Sequence, residues 1–261
     1  MRIFKKIATW ILTIVYLLLI AGFVNNRYEN QLCNEIKITI QDSLNSGFLS
    51  QEDVLRILDR KGIHYLGEPL SQIDLTKLED EILTNQIVKD CRAYTGTNGM
   101  LYIDLTQREP FIRIIDNRGE GYYIDLEGNI LALSSRFTPY VLVVNGHIKT
   151  PFKIGDAVNV NNLGNSNSEK TIKNIYDLAL YINQHDLWNS QFVQIYITRT
   201  GEFELVPRIG PHLILLGEPD DFREKLNKLE IFYKEGLNNV GWNQYVKINL
   251  KYKDQVVCTK I

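Results

Sequence analysis

The sequence predicts an α+β chain in three parts: one N-terminal transmembrane helix, a small domain ordered βααββ, and a strand-rich β domain with two helices. Three observations predict it. Ile7 to Val24 runs without a charge. Between about Leu32 and Pro110 the apolar spacing passes from period two to helical spacing and back. From Phe111 to Ile261, short apolar or alternating runs recur between turn residues.

Residues 1–6 read as a basic cytoplasmic tail with Arg2, Lys5 and Lys6. Residues 7–24 give the predicted span, roughly 27 Å at a helical rise of 1.5 Å per residue, about the thickness of a hydrocarbon core. Thr9 and Thr13 can bond their hydroxyls back to the helix, and Trp10 suits the cytoplasmic interface. Arg27 beyond the run is balanced by Glu29. The positive flank belongs in the cytoplasm, so a single-pass topology with the C-terminal mass outside is expected. A cleaved signal peptide would have a shorter apolar region and a small-x-small site. The exit Gly22-Phe23-Val24-Asn25-Asn26 has no such site, which favours an uncleaved anchor.

The first outer domain is expected over 32–110. Ile36, Ile38 and Ile40 alternate with Lys37, Thr39 and Gln41, the mark of a half-buried strand. Ser50 caps a helix with Asp53 three residues on, Val54, Leu55 and Leu58 form its apolar face, and Gly62 stops it. Asp74 opens a second helix with Leu75, Leu78 and Ile82 at helical spacing. A strand near Val88 to Tyr94, a turn at Thr97-Asn98-Gly99 and an alternating strand through Leu101, Ile103 and Leu105 complete it.

The second domain is expected over 111–261. Tyr122–Asp125 and Ile130–Leu133 flank Glu127-Gly128-Asn129 as a hairpin, and Tyr140 to Val144 is a short strand. Asn159 to Ser168 reads as a surface loop. A helix follows with Ile172, Ile175, Tyr176, Ala179 and Ile182 on one face. Strands are expected near Phe192–Thr198, Phe203–Val206 and His212–Leu216. Pro219 opens a helix lined by Phe222, Leu226, Leu229 and Tyr233, ended by Gly236. Tyr245–Tyr252, a turn at Lys253-Asp254-Gln255 and a last strand from Val256 to Lys260 close the domain.

Composition narrows function. A net charge of -2 argues against nucleic acid, whose binders carry a basic excess. The three cysteines, Cys33, Cys91 and Cys258, form no CxxC, and a Cys33–Cys91 bridge stays open. No two of His64, His147, His185 and His212 stand in an HExxH pattern, and no G-x-S-x-G elbow occurs. Gly119-Glu120-Gly121 reads as a turn, and Asp220-Asp221 as acids in the first turn of a helix. These patterns predict no enzyme, no cofactor and no metal site.

The order of these motifs resembles the FtsQ/DivIB bacterial cell-division proteins over nearly the whole chain. The βααββ segment looks like a POTRA domain. Its closing run, Leu101-Tyr102-Ile103-Asp104-Leu105-Thr106-Gln107-Arg108-Glu109-Pro110-Phe111, is similar to the family junction of alternating strand, Arg-Glu pair and proline. Tyr123-Ile124-Asp125-Leu126-Glu127-Gly128 resembles the hairpin that opens the family's β domain, and Lys251-Tyr252 resembles the end of its penultimate strand. The chain departs from the family in its short tail and in lacking a glycine-aromatic pair within Val256-Val257-Cys258-Thr259-Lys260.

The resemblance implies a non-enzymatic divisome scaffold at the division septum. It would bind FtsB/DivIC-like and FtsL-like single-pass coiled-coil division proteins, together with other septal divisome proteins, and help control septal wall synthesis. A last strand at a sheet edge offers unpaired N–H and C=O groups to which a partner segment can add. The implied partner-binding residues are Lys251, Tyr252, Val256, Val257, Cys258, Thr259 and Lys260. The competing reading is an edge blunted by Lys251, Lys253 and Lys260. A POTRA-bearing chaperone or secretion component and a membrane-anchored cell-wall enzyme are the rival functions.

Overall fold

The computed structural model describes residues 10–20, 31–41 and 47–261. The chain divides into two compact units, Met1–Gln107 and Arg108–Ile261.

The predicted fold class is corrected at its first element. Residues 10–20 are helical and exposed, and the Thr13 hydroxyl does donate back, to the Trp10 carbonyl at 2.9 Å. At 1.5 Å per residue this segment is about 16 Å long, half of a hydrocarbon core. No helix among the described residues is long and apolar enough to cross a membrane. Positions 7–9 and 21–24 of the predicted span lie outside the described residues. Among the described residues, no spanning helix therefore supports the single-pass topology inferred from that span.

The first unit is built from β1 (Glu35–Gln41), α1 (Gln51–Arg60), α2 (Leu75–Leu83), β2 (Val88–Thr95) and β3 (Met100–Gln107). Local signals set both helix starts. Ser50 and Asp53 form a reciprocal capping box on α1, and the Asp74 carboxylate accepts the Lys77 N–H at 3.0 Å on α2. The sheet order is β1-β3-β2, with β1 parallel and β2 antiparallel to β3. Ile38, Cys91, Leu101, Ile103 and Leu105 face Val54, Leu58, Leu78 and Ile82 in one core. Cys33 and Cys91 are free buried thiols in that core. Burial, with Glu79 and Asp90 nearby, pushes the Cys91 thiol up to about 12. The Glu79 carboxylate accepts the Ala93 N–H at 2.7 Å, which occupies a donor on edge strand β2.

Leu78 has no exposed surface. Leu78→Ala should therefore destabilise this unit by roughly 2–5 kcal/mol, through lost transfer energy and the cavity left behind. Chemical denaturation of both proteins measures it, and an unchanged midpoint would remove Leu78 from the core.

The second unit carries strands β4 (Pro110–Ile115), β5 (Gly121–Asp125), β6 (Ile130–Ala132), β7 (Leu142–Gly146), β8 (Phe192–Ile197), β9 (Phe203–Pro207), β10 (Leu213–Gly217), β11 (Tyr245–Asn249) and β12 (Val257–Lys260). They form one nine-stranded sheet in the order β12-β11-β10-β9-β8-β7-β4-β5-β6. The sheet is mixed, because β4 is parallel to β7, β7 to β8, and β10 to β11. Parallel neighbours need crossovers. The connection from β4 to β7 runs through β5 and β6, that from β7 to β8 through α3 (Asn167–Gln184) and the short α4 (Asp186–Gln191), and that from β10 to β11 through α5 (Phe222–Ile231). Ile175, Ala179, Leu226 and Leu229 from these helices join Ile114, Val144, Ile195, Leu205, Ile214 and Ile248 from the strands in a single core. The helices thus cover one sheet face.

Three local expectations change here. The count of two helices omits α4. Pro219 lies before α5, whose N-cap is Asp221 in the left-handed region at φ 53; Asp220-Asp221 therefore precede the helix instead of filling its first turn. Gly236 does not end the helix. The chain continues through π-helical turns over Phe232–Leu237 and a short turn at Asn238–Val240, and stops at Gly241 with φ 95.

Candidate partner-binding edge

The two ends of the large sheet differ. At the β6 end the neighbouring loop closes the edge, with Ile130 N–H donating to Val158 C=O at 3.0 Å and Val160 N–H to Gly128 C=O at 2.8 Å. At the other end β12 pairs antiparallel with β11 and is last in the strand order. β11 is anchored by Ile248, which has no exposed surface. It is flanked by β10 on its inner side.

The outward groups on β12 follow from one bond. Ile261 N–H donates to Gln244 C=O, beside β11, at 3.2 Å. Backbone groups alternate sides along a strand, so the N–H groups of Val257 and Thr259 also face β11. Those of Cys258 and Lys260 face the open edge. The register irregularity lies between Tyr245 and Lys247 on β11, so the alternation along β12 is unbroken. The side chains alternate the other way. Val256 and Cys258 pack partly against the core, while Val257 (43% exposed) and Thr259 point to solvent. Partial burial pushes the Cys258 thiol up, which favours its protonated form.

The connection from β11 to β12 is held by α5. Lys228 Nζ donates to the Tyr252 carbonyl at 2.7 Å and to that of Leu250 at 3.4 Å. This pins the Tyr252 backbone while its ring stands 53% exposed. Lys251 Nζ pairs with Glu202 at 3.0 Å. Asp254 takes the left-handed turn position at φ 56. Between this turn and the π-helical segment lies a groove of about 410 Å³, lined by Lys228, Ile231, Phe232, Glu235, Gly236 and Val256. Phe232 also meets Tyr245 of β11, with ring centroids 6.2 Å apart.

All seven predicted partner-binding residues therefore lie on β12 or the turn that leads into it. The groove residues from α5 and the π-helical turns were not foreseen. Their signal was present: Ile231 and Phe232 are apolar but fall off the stripe of Leu226, Leu229 and Tyr233, and Ile231 is exposed. The catalytic candidates scatter. His147 is exposed, His64 lies 3.5 Å from Asp59 on the surface, His185 lies 3.9 Å from Glu230, and His212 is buried against Tyr233. Gly119 sits in a turn at φ 83. Among the described residues no group of three or more His, Cys, Asp or Glu could hold a metal ion.

The sequence model of the family described as FtsQ/DivIB, C-terminal related, matches residues 109–259, more than half of the chain. The chain belongs to the FtsQ/DivIB family. A POTRA-like domain model matches residues 31–106, and no curated protein matches the chain. The FtsQ/DivIB assignment makes this a cell-division protein of a generally non-enzymatic family. The FtsQ/DivIB match ends at Thr259, so it takes in nearly all of the β12 edge.

Proposed function

We propose that this chain is a non-enzymatic divisome scaffold acting at the septum. Its second unit would capture FtsB/DivIC-like and FtsL-like division proteins by strand addition at β12 and so help control septal wall synthesis. The observation that carries this reading is the contrast between the two sheet ends, one closed by a loop and the other presenting Cys258 and Lys260 N–H groups outward. An added strand gains main-chain hydrogen bonds there, and pockets beside it supply specificity. Tyr252 and the groove next to Val256 are the adjoining apolar features. Lys253 and Lys260 favour a partner segment with acidic residues.

Titration of the full chain with the FtsB/DivIC-like protein, alone and with the FtsL-like protein, tests the proposal. Tyr252→Ala should cost about 2 kcal/mol of binding or more if the ring is an interface anchor. Because the ring is half exposed and its backbone is held through the carbonyl, the melting temperature should hold. Unchanged affinity both in Tyr252→Ala and in a folded variant truncated after Gln255 would defeat the proposal.

A further inference from the structure

His212 precedes β10 and is 2% exposed. Its ring Nε2 shares a hydrogen bond with the Tyr233 hydroxyl at 3.0 Å. Its Nδ1 is buried and meets no hydrogen-bond partner among the described residues. The surroundings are aromatic: Tyr233 from the π-helical turns stands edge-on at 5.8 Å and Trp242 from the segment before β11 at 6.2 Å. Trp242 and Tyr233 are themselves 4.9 Å apart, and Trp188 of α4 lies 5.9 Å from Tyr233. Gly210, in the bend between β9 and β10, closes on the ring; a Cβ there would fall 2.6 Å from His212 Cε1. Among the described residues Tyr233 is the titratable group hydrogen-bonded to the ring, and burial holds its hydroxyl protonated well above its ordinary range.

A neutral imidazole protonated at Nε2 fits this site, because that N–H meets the Tyr233 oxygen and no hydrogen is placed on the partnerless Nδ1. An imidazolium does not, because it would carry a second N–H with no acceptor and a charge with no counter-ion. We propose that His212 is an acid-sensitive latch: protonation at Nδ1 leaves a buried N–H and charge without a partner, which drives the ring out of its place beside Tyr233 and loosens the π-helical turns together with the Trp242 segment. The turns carry Phe232, which lines the groove beside Val256 and touches Tyr245. The latch stands apart from any partner; its effect on the groove as a docking site rests on the proposed function.

The direction of the pH effect follows. Burial pulls the His212 pKa down in the folded chain, whereas an unfolded histidine titrates near about 6.5. Below that value the unfolded chain binds a proton that the folded chain refuses. The stability held by the neutral ring is complete above the unfolded value and is lost as pH falls through it.

Tryptophan emission of the full chain, followed from about pH 7.5 to 4.5, reads the latch directly, since Trp188 and Trp242 border it. A reversible change below about pH 6.5 is expected. His185 stacks on Trp188 at 5.8 Å and is the competing source of such a change. The change should survive in His185→Gln and vanish in His212→Gln. Persistence in His212→Gln, or no change in the wild type over this range, would overturn the proposal. If His212→Gln does not fold, replacing His64, His147 and His185 by Gln leaves His212 as the sole histidine. Its ring resonance should then titrate together with the emission, and an emission change with no ring titration would equally overturn it. Partner binding is measured separately, so the latch and the scaffold reading can fail independently.

Discussion

Cys258→Pro is expected to weaken partner binding by about 5- to 150-fold relative to Cys258→Ala, with the two variants melting alike. Proline removes the N–H that faces the open edge and leaves a partner carbonyl unmatched in the interface. An unsatisfied buried group costs roughly 1–3 kcal/mol, which converts to that range of affinity. The alanine reference cancels the packing of the partly buried thiol. Val257→Pro is the counterpart. Its N–H faces β11, in register with Asn249, so proline there detaches the native strand and should lower both affinity and melting temperature. A Cys258→Pro protein that binds like Cys258→Ala would show that no strand adds along this edge.

Trp188→Ala should destabilise the second unit by roughly 3–5 kcal/mol. Trp188 has no exposed surface. It stacks on Phe192 at 5.2 Å and on His185 at 5.8 Å, and meets Tyr233 edge-on at 5.9 Å. One side chain thereby joins α4, the start of β8 and the π-helical turns. The short α4 lacks a side-chain N-cap bond and depends on this burial. For a unit of this size the loss corresponds to a melting shift of about 6–20 °C. Thermal unfolding followed by near-UV circular dichroism, which reports the packed tryptophan, measures it. A shift under about 2 °C would mean that the site collapses around the missing ring.

Much of the chain is legible because its signals are local. The Ser50-Asp53 box and the Asp74 cap act over three residues, and both occur as read. The alternation from Leu101 to Leu105 puts Leu101, Ile103 and Leu105 inward in the fold, as read. What escapes depends on distant partners. Nothing near Leu142 or Leu213 says that its strand will lie parallel to a strand reached through a helix. β4 escapes because Phe111, Ile112 and Ile114 are buried and only Arg113 interrupts them. Gly236 reads as a stop, yet Leu237 beyond it is fully buried and carries the turns through. The Lys228 bond to Tyr252 joins residues far apart in sequence and leaves no pattern at either position. At the N-terminus, an uncharged run satisfies a hydropathy count, but no helix among the described residues is long and apolar enough to cross a membrane.

The parallel pairings also govern how the second unit comes together in time. β4, β5 and β6 form an antiparallel meander, and β8 and β9 pair through a tight turn. These short loops close quickly. By contrast β7 meets β8 only after the α3 and α4 crossover is threaded, and β10 meets β11 only after α5 is laid down. Closing a long loop loses chain entropy before its contacts return any energy, so these steps set the rate. β12 pairs with β11 as a local antiparallel hairpin across residues 250–256 and joins the sheet only through it. The edge offered to a partner therefore becomes part of the full sheet only when β11 meets β10, so a unit lacking that one parallel pairing carries a detached hairpin in its place.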